Sequence, residues 1–452
     1  MMAISDAILR EFAVVVGTEH VITDTAQLDN NSRDCYWYSP VLKPQLDEKV
    51  GDVIVRPGTV TELIEVIKIA FREQLPITMR GAATGNYGQS VPLQGGLVIS
   101  TKRLDRILEL TTDAIRVETG TVLIAMEKAA RKIGAELRFY PSTLMTATAG
   151  GFLAGGSGGV GSVTWGTLWD PGNVLGATVV TVEAEPRLLT VTDPEELKGV
   201  IHNCGLSGII TDLTLALAPA KPWSQYVVSF AKFEDALRCG QALAHDDALD
   251  KRLVTLLEWP IPSFFRQLVR VDASPEGRAQ MLLMLTVGQE EVQRLVNPYG
   301  GILHWSSGPE EYLNGALLLS DFSWNHTTLW AMRADKRWTY LQDQFDPDRV
   351  FDQLKLRKAR YGDDVLEHIE FMKFQGRMYP QGLSLVRFHS KEQLWELMAY
   401  CEEIGIWNAN PHTHFLDEDV RWNGQPLLDA KAEWDPASLL NPGHLKRLSE
   451  AP

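Results

Sequence analysis

Cysteine is scarce: the 452-residue chain has four (Cys35, Cys204, Cys239, Cys401), widely spaced and without a CxxC pair. That pattern sets aside a disulfide framework and a thiolate zinc site, and it favours reduced thiols in a cytoplasmic setting. Basic character is short as well. The 43 Lys and Arg stand against 58 Asp and Glu, a net charge of −15, so no nucleic-acid or anionic-membrane surface is expected. No uninterrupted apolar run reaches the ~20 residues of a membrane span. The opening MMAISDAILREF lacks the basic start and apolar core of a secretory signal. Repeats and low-complexity tracts are absent. What remains is a globular chain too long for one ordinary core, with two or three folding units expected.

Residues 51–220 carry a βαβ-like rhythm. VGDVIVRPGT reads as a strand closed by Pro57-Gly58, and Thr61 is expected to cap a helix in which Leu63, Ile64, Ile67 and Phe71 recur at helical spacing. LPITMRG and GGLVIST read as further strands, and VLIAMEKAARKIG as a helix stopped by Gly134. NVLGATVVTVEAE and GIITDLTLALAP close the region as strands, and the character shifts near Lys221-Pro222. The division expected is 1–222 for a first domain with its core at about 48–220, 223–410 for a second domain that meets substrate, and 411–452 for a segment returning to the first.

Two glycine-rich segments carry the chemistry. RGAATGNYGQS (Arg80 to Ser90) follows a strand, and its glycines allow the backbone close to an anionic group. No Gly-Lys-Ser/Thr follows it, so it is no P-loop, and it lacks the GxGxxG dinucleotide fingerprint. Alone it is as readily a structural turn. The second segment, Ser142 to Gly166, interleaves glycines with Ser142, Thr143, Thr146, Thr148 and Ser162. Two such segments could clamp a diphosphate from opposite sides. A third, GLSGIITDLTLALAP, could offer backbone groups to the edge of an adenine.

In this order and spacing, together with DPASLLNPGHL near the end, these motifs resemble the vanillyl-alcohol oxidase/p-cresol methylhydroxylase superfamily of FAD-linked oxidases, nearest its glycolate oxidase D-subunit branch. The resemblance implies an α+β protein: a two-lobed FAD-binding domain of that type plus an α/β substrate (cap) domain. It implies that Arg80, Gly81, Ala82, Ala83, Thr84, Gly85, Asn86, Gly88 and Gln89 hold the pyrophosphate, along with Ser142, Thr146, Thr148, Gly150, Gly151 and Gly155. Ser162, Trp165 and Gly166 would lie by the ribityl chain or flavin, Ile209 and Ile210 by the adenine, and Asn441 at the ring or as a turn cap. Lys102 would precede a segment along the flavin. Several relatives tether FAD through a histidine at or near Thr84, others through a cysteine in the second segment. This chain has neither, so non-covalent FAD is expected, or else a tether from the distant C-terminal part. The HGxGDGNxH-like run of the hydroxy-acid branch is also missing.

On the substrate side, WNANPHTHFLDED would place Asn408, Asn410, His412 and His414 on one face if extended. Either histidine could act as general base; the plain alternative is a polar strand edge. A metal pair there lacks a third ligand. Trp324, Asn325 and His326 form a second cluster that also reads as an aromatic core patch. Tyr379 is a further candidate, and Arg377 or Arg387 could fork onto a carboxylate or simply face solvent. The acidic run 417–419 is expected in solvent. The leading expectation is hydride transfer from a small CH–OH donor to flavin, with O₂ or a redox partner as acceptor. An NADPH-fed flavin reductase and a non-catalytic flavin-binding protein are the alternatives.

Overall fold

The computed structural model describes residues 4–315, 317–417 and 424–446. Its first sheet joins β1 (Val21–Ile22), β2 (Val53–Val55), β3 (Ile77–Arg80) and β4 (Leu97–Ser100) in the order β1-β2-β4-β3. β2 and β3 both run parallel to β4. The helix Val60–Arg72 crosses from β2 to β3 and buries Leu63, Val66, Ile67 and Ala70 against this sheet. Its cap is Thr59, whose hydroxyl accepts from Glu62 N; Thr61, the residue expected in that role, lies inside the first turn.

A second sheet holds β5 (Ile107–Leu110), β6 (Ala114–Glu118), β7 (Ala135–Leu137), β8 (Val174–Val180), β9 (Leu188–Val191) and β10 (Ile209–Pro219). The long strand β10 pairs with β6, β7 and β8, so it anchors this lobe.

The later chain forms an antiparallel eight-stranded sheet. In chain order its strands are β11 (Ser224–Phe230), β12 (Lys251–Leu257), β13 (Ala279–Leu285), β14 (Ile302–Ser307), β16 (Gln342–Gln344), β18 (His368–Phe374), β19 (Arg377–Gly382) and β21 (Trp407–Ala409). They lie in the order β14-β11-β13-β12-β18-β19-β16-β21. A small sheet of β15 (Trp338–Tyr340), β17 (Val365–Leu366) and β20 (Leu385–Arg387) sits beside it. Every residue of β12 and β13 is buried, as their near-continuous apolar sequence requires of central strands covered on both faces.

Two ties bind these parts. Arg252 on β12 is 1% exposed and reaches β7, pairing with Glu136 at 2.6 Å and donating to Leu137 O at 2.9 Å. The C-terminal segment returns to the first sheet, where Ile77 N donates to Leu439 O at 2.8 Å and Asn441 N to Ile77 O at 2.7 Å. Asp417, expected in solvent, is buried and accepts from Lys446 N at 2.8 Å; positions 418 and 419 lie outside the described residues.

Candidate functional site

One cavity of about 640 Å³ lies between the first sheet, the second sheet and the eight-stranded sheet. Gly81, Ala82, Ala83, Thr84, Gly85, Asn86 and Gln89 line it from the first glycine segment; Ser142, Thr148, Gly150, Gly151 and Gly155 line it from the second, and Ile210 from β10. The two segments touch. A Cβ on Gly81 would collide with Thr148 Oγ1. Gln89 stands between them: its Nε2 lies 2.5 Å from the position a Gly85 Cβ would take and 3.3 Å from that of Gly155.

The second segment is not a loop throughout. Ala149–Gly155 winds into a short helix, capped by Thr148 Oγ1 accepting from Gly151 N at 3.2 Å. Glycine weakens a helix by up to ~1 kcal/mol per residue relative to alanine. Here close packing demands it, because a Cβ on Gly150 would overlap Thr119 Oγ1.

Several expected residues are turned elsewhere. The Arg80 guanidinium donates to Arg33 O at 2.7 Å and Asn30 O at 3.3 Å, so it ties the glycine loop to the N-terminal segment and stays out of the lining. Gly88 adopts φ +78 against Leu46, making the turn and no wall. Thr146 is exposed, bonded only to Thr143 O. Ser162 is fully buried with its hydroxyl accepting from Gly159 N, Trp165 packs under the Arg138 guanidinium, and Gly166 packs beside Asp170. Ile209 sits in the core beside Val180, and Lys102 is exposed. Asn441 lies behind the wall: its Nδ2 donates to Gln89 O at 2.8 Å and Cys204 O at 2.9 Å, bracing the first glycine segment against the 203–210 turn.

None of the four catalytic candidates lines the cavity. The extended run expected over 408–414 ends at Ala409, because Pro411 cannot continue a ladder. Asn408, Asn410 and Thr413 reach the cavity; His412 and His414 do not. His412 is buried, with Nδ1 at 2.8 Å from Ser39 Oγ and Nε2 at 2.9 Å from Tyr340 O, and burial pushes its pKa down to about 4. His414 stacks against Phe415, and its carbonyl bonds the His444 ring. Arg377 is exposed and pairs with Asp348 at 2.7 Å, with Tyr379 beneath it; both lie toward the hairpin tip of β19, while Gln381 and Gly382 at its other end line the cavity. Arg387 bridges Asp335 and Asp364 at 3.5 Å each. Of the tryptophan cluster, Trp324 and Asn325 line the cavity and His326 does not.

The remaining wall carries no signal in the local sequence. Strand pairing sets Met372, Gln381, Leu383, Gln342, Trp407 and Ala409 on one face of the large sheet, and all six line the cavity. Tyr87 of the first glycine segment spans to that face, its hydroxyl donating to Gln342 Oε1. His202 and Cys204 also line the cavity; His202 Nδ1 bonds Gly156 O at 2.8 Å, and burial pushes the Cys204 thiol up to about 12.

The donor set fits the expected FAD. Asn86 Nδ2 and Gln89 Nε2 are buried donors without a protein partner at the point where the glycine segments converge, as an anionic group between them requires. Asn325 Oδ1, Trp324 Nε1 and Gln381 Nε2 are buried without partners on the opposite wall.

Comparison with known proteins agrees. The chain is 27% identical over 235 residues to an uncharacterized FAD-linked oxidoreductase of Mycobacterium tuberculosis, covering 50% of this chain and 49% of that protein. It is 29% identical over 212 residues to a D-lactate dehydrogenase of Archaeoglobus fulgidus, covering 44% and 46%. The chain thus spans about half the length of the curated relatives it matches. In fold it is similar to 4-ethylphenol oxidase from Gulosibacter chungangensis, with TM-score 0.68 and 15% identity over 98% of both chains. Residues 51–190 match the family model described as FAD binding domain. Residues 51–190 are thus an FAD-binding domain, and the chain is similar through it to FAD-linked oxidoreductases.

Proposed function

We propose that the protein is an FAD-dependent oxidoreductase that takes a hydride from a small CH–OH donor and holds its cofactor without a covalent bond. The observation that carries this reading is the convergence of both glycine segments on Gln89 at one end of a cavity whose other wall is a sheet face. When bound, FAD would supply the two-electron acceptor for that hydride. Around it, Gln89 and Asn86 would donate to the pyrophosphate, and the glycines would let the backbone approach from both sides. The Tyr87–Gln342 bond joins the cofactor side to the substrate side and fixes the gap in which a donor is oriented. The D-lactate dehydrogenase relative supports a CH–OH donor. Thr84 supplies no ring nitrogen for a tether, and Cys204, the cysteine in the lining, is held as a neutral thiol by burial.

The test is anaerobic. The purified protein should carry oxidised flavin, release it on denaturation, and lose its absorbance when mixed with an alcohol or hydroxy-acid donor. Admitting O₂ then separates an oxidase from a dehydrogenase. Flavin that stays with the denatured chain would refute non-covalent binding, and bleaching by NADPH alone would favour the reductase.

A further inference from the structure

The charges around the cavity narrow the donor. Among the described residues, no lysine or arginine lines it, and its charged side chains are Asp343 and Glu402. Asp343 brings no positive charge with it: its Oδ2 accepts from Ser384 at 3.1 Å and from the buried Arg357 at 2.5 Å, a guanidinium it shares with Glu367. Glu402 is exposed. No group of three His, Cys, Asp or Glu among the described residues could hold a metal ion to stand in for a missing cation.

The sheet face in the cavity instead presents neutral groups. Gln381 and Gln342 supply amides, while Met372 and Leu383 supply apolar surface. Trp324 is held over the same face in an unusual way. It adopts φ +50, ψ −144, which an L residue with a bulky side chain adopts only under constraint, and its N–H donates to Glu370 Oε1 at 2.8 Å. Glu370 is the register partner of Gln381 across β18 and β19, so one buried carboxylate sets the tryptophan next to the glutamine. The indole Nε1 and the Gln381 amide nitrogen are both buried donors without protein partners.

An ionised carboxylate buried here would lose its hydration and gain no counter-charge from the described lining, at a cost of several kcal/mol. A hydroxyl, by contrast, can accept from the Gln381 amide or the indole and donate to Asn325 Oδ1, an unpartnered oxygen in the same lining. We infer that the donor is an uncharged alcohol, bound between Trp324 and Gln381, and that 2-hydroxy acids are excluded by charge. This inference rests on the oxidoreductase reading and fixes the substrate class of that same cavity.

The test uses matched probes that differ only in CH₂OH against carboxylate: propane-1,2-diol with lactate, and 1-phenylethane-1,2-diol with mandelate, both enantiomers of each. Binding to the flavin-loaded protein is followed by perturbation of the oxidised-flavin spectrum, and reduction by anaerobic bleaching. At least one diol should bind at least tenfold more tightly than its hydroxy acid, and Gln381→Arg or Gln342→Lys should narrow or invert that ratio. A hydroxy acid that binds as tightly as its diol in wild type, or failure of every probe to perturb the spectrum, overturns the inference. Diol binding without bleaching would uphold the charge selection and sink alcohol oxidation. Protein that takes up no flavin would instead sink the cofactor reading.

Discussion

Gly81 and Thr148 lie so close that a methyl group on the first would displace the hydroxyl of the second. The two residues are 67 positions apart, and their contact joins the glycine segments on either side of the proposed pyrophosphate site. Overpacking costs typically ~1–3 kcal/mol, which is about 5- to 150-fold in affinity when it falls on a binding site. Gly81→Ala should therefore lower the flavin-to-protein absorbance ratio at limiting FAD while leaving the far-UV circular dichroism unchanged. Thr148→Ala alone loses a helix cap worth about 1 kcal/mol. The double variant, with the hydroxyl gone, should bind FAD better than Gly81→Ala; no recovery would mean that the contact is not what limits binding.

Asn441 has φ +47 and spends both amide hydrogens on Gln89 O and Cys204 O. Asn441→Gly tolerates that backbone but strands two buried carbonyls, at roughly 1–3 kcal/mol each. Asn441→Asp also sets a carboxylate against two carbonyl oxygens. Thermal unfolding should show both variants less stable than wild type, with Asp the worse, and stopped-flow dilution should show faster flavin release. Equal release rates across the three proteins would contradict a bracing role.

Arg252 is surrounded by Glu136, Glu127 and the rings of Tyr140, Trp223 and Tyr312. Removing one partner of a buried ion pair typically costs ~3–5 kcal/mol. Arg252→Ala should lose stability on that scale in urea unfolding, and Arg252→Met combined with Glu136→Gln should lose less. The reverse order would show that packing, and not charge pairing, joins β12 to β7.

His412 keeps its neutral form in the fold, with its pKa near 4 against an ordinary 6.5. The unfolded chain then binds more protons than the native one between those values. The histidine's contribution is thus fully present above about pH 6.5 and is lost as the pH falls toward 4, by at most about 1.4 kcal/mol per pH unit. The stability gap between wild type and His412→Asn should shrink over that range. A gap independent of pH would place the histidine in a different protonation state.

The cofactor side was legible in the sequence because close backbone approach leaves a compositional mark. Gly81, Gly85 and Gly155 each stand where a Cβ would press on the facing segment or on Gln89, Gly150 stands where one would overlap Thr119, and glycine is the residue that tolerates such contacts. Residues chosen for polarity alone fared differently. Arg80 and Ser162 spend their hydrogen bonds on neighbouring backbone, which local sequence does not reveal. The substrate wall was hidden for another reason. Gln342, Gln381 and Met372 share a face through register across three strands, and register is a property of pairing, not of residue type. His412 was misplaced because alternation was carried past Ala409 into a segment that Pro411 turns away.

The Asn441 brace sets a time at which the protein can first hold its cofactor. Residues 81–89 and 203–205 are synthesised well over two hundred residues before the side chain that pins them together, and β3 meets Leu439–Asn441 only after the large sheet has been made. A nascent polypeptide bearing every glycine of the site still lacks that clasp. Completion of the proposed flavin site is consequently a late event in folding, following synthesis of the eight-stranded sheet.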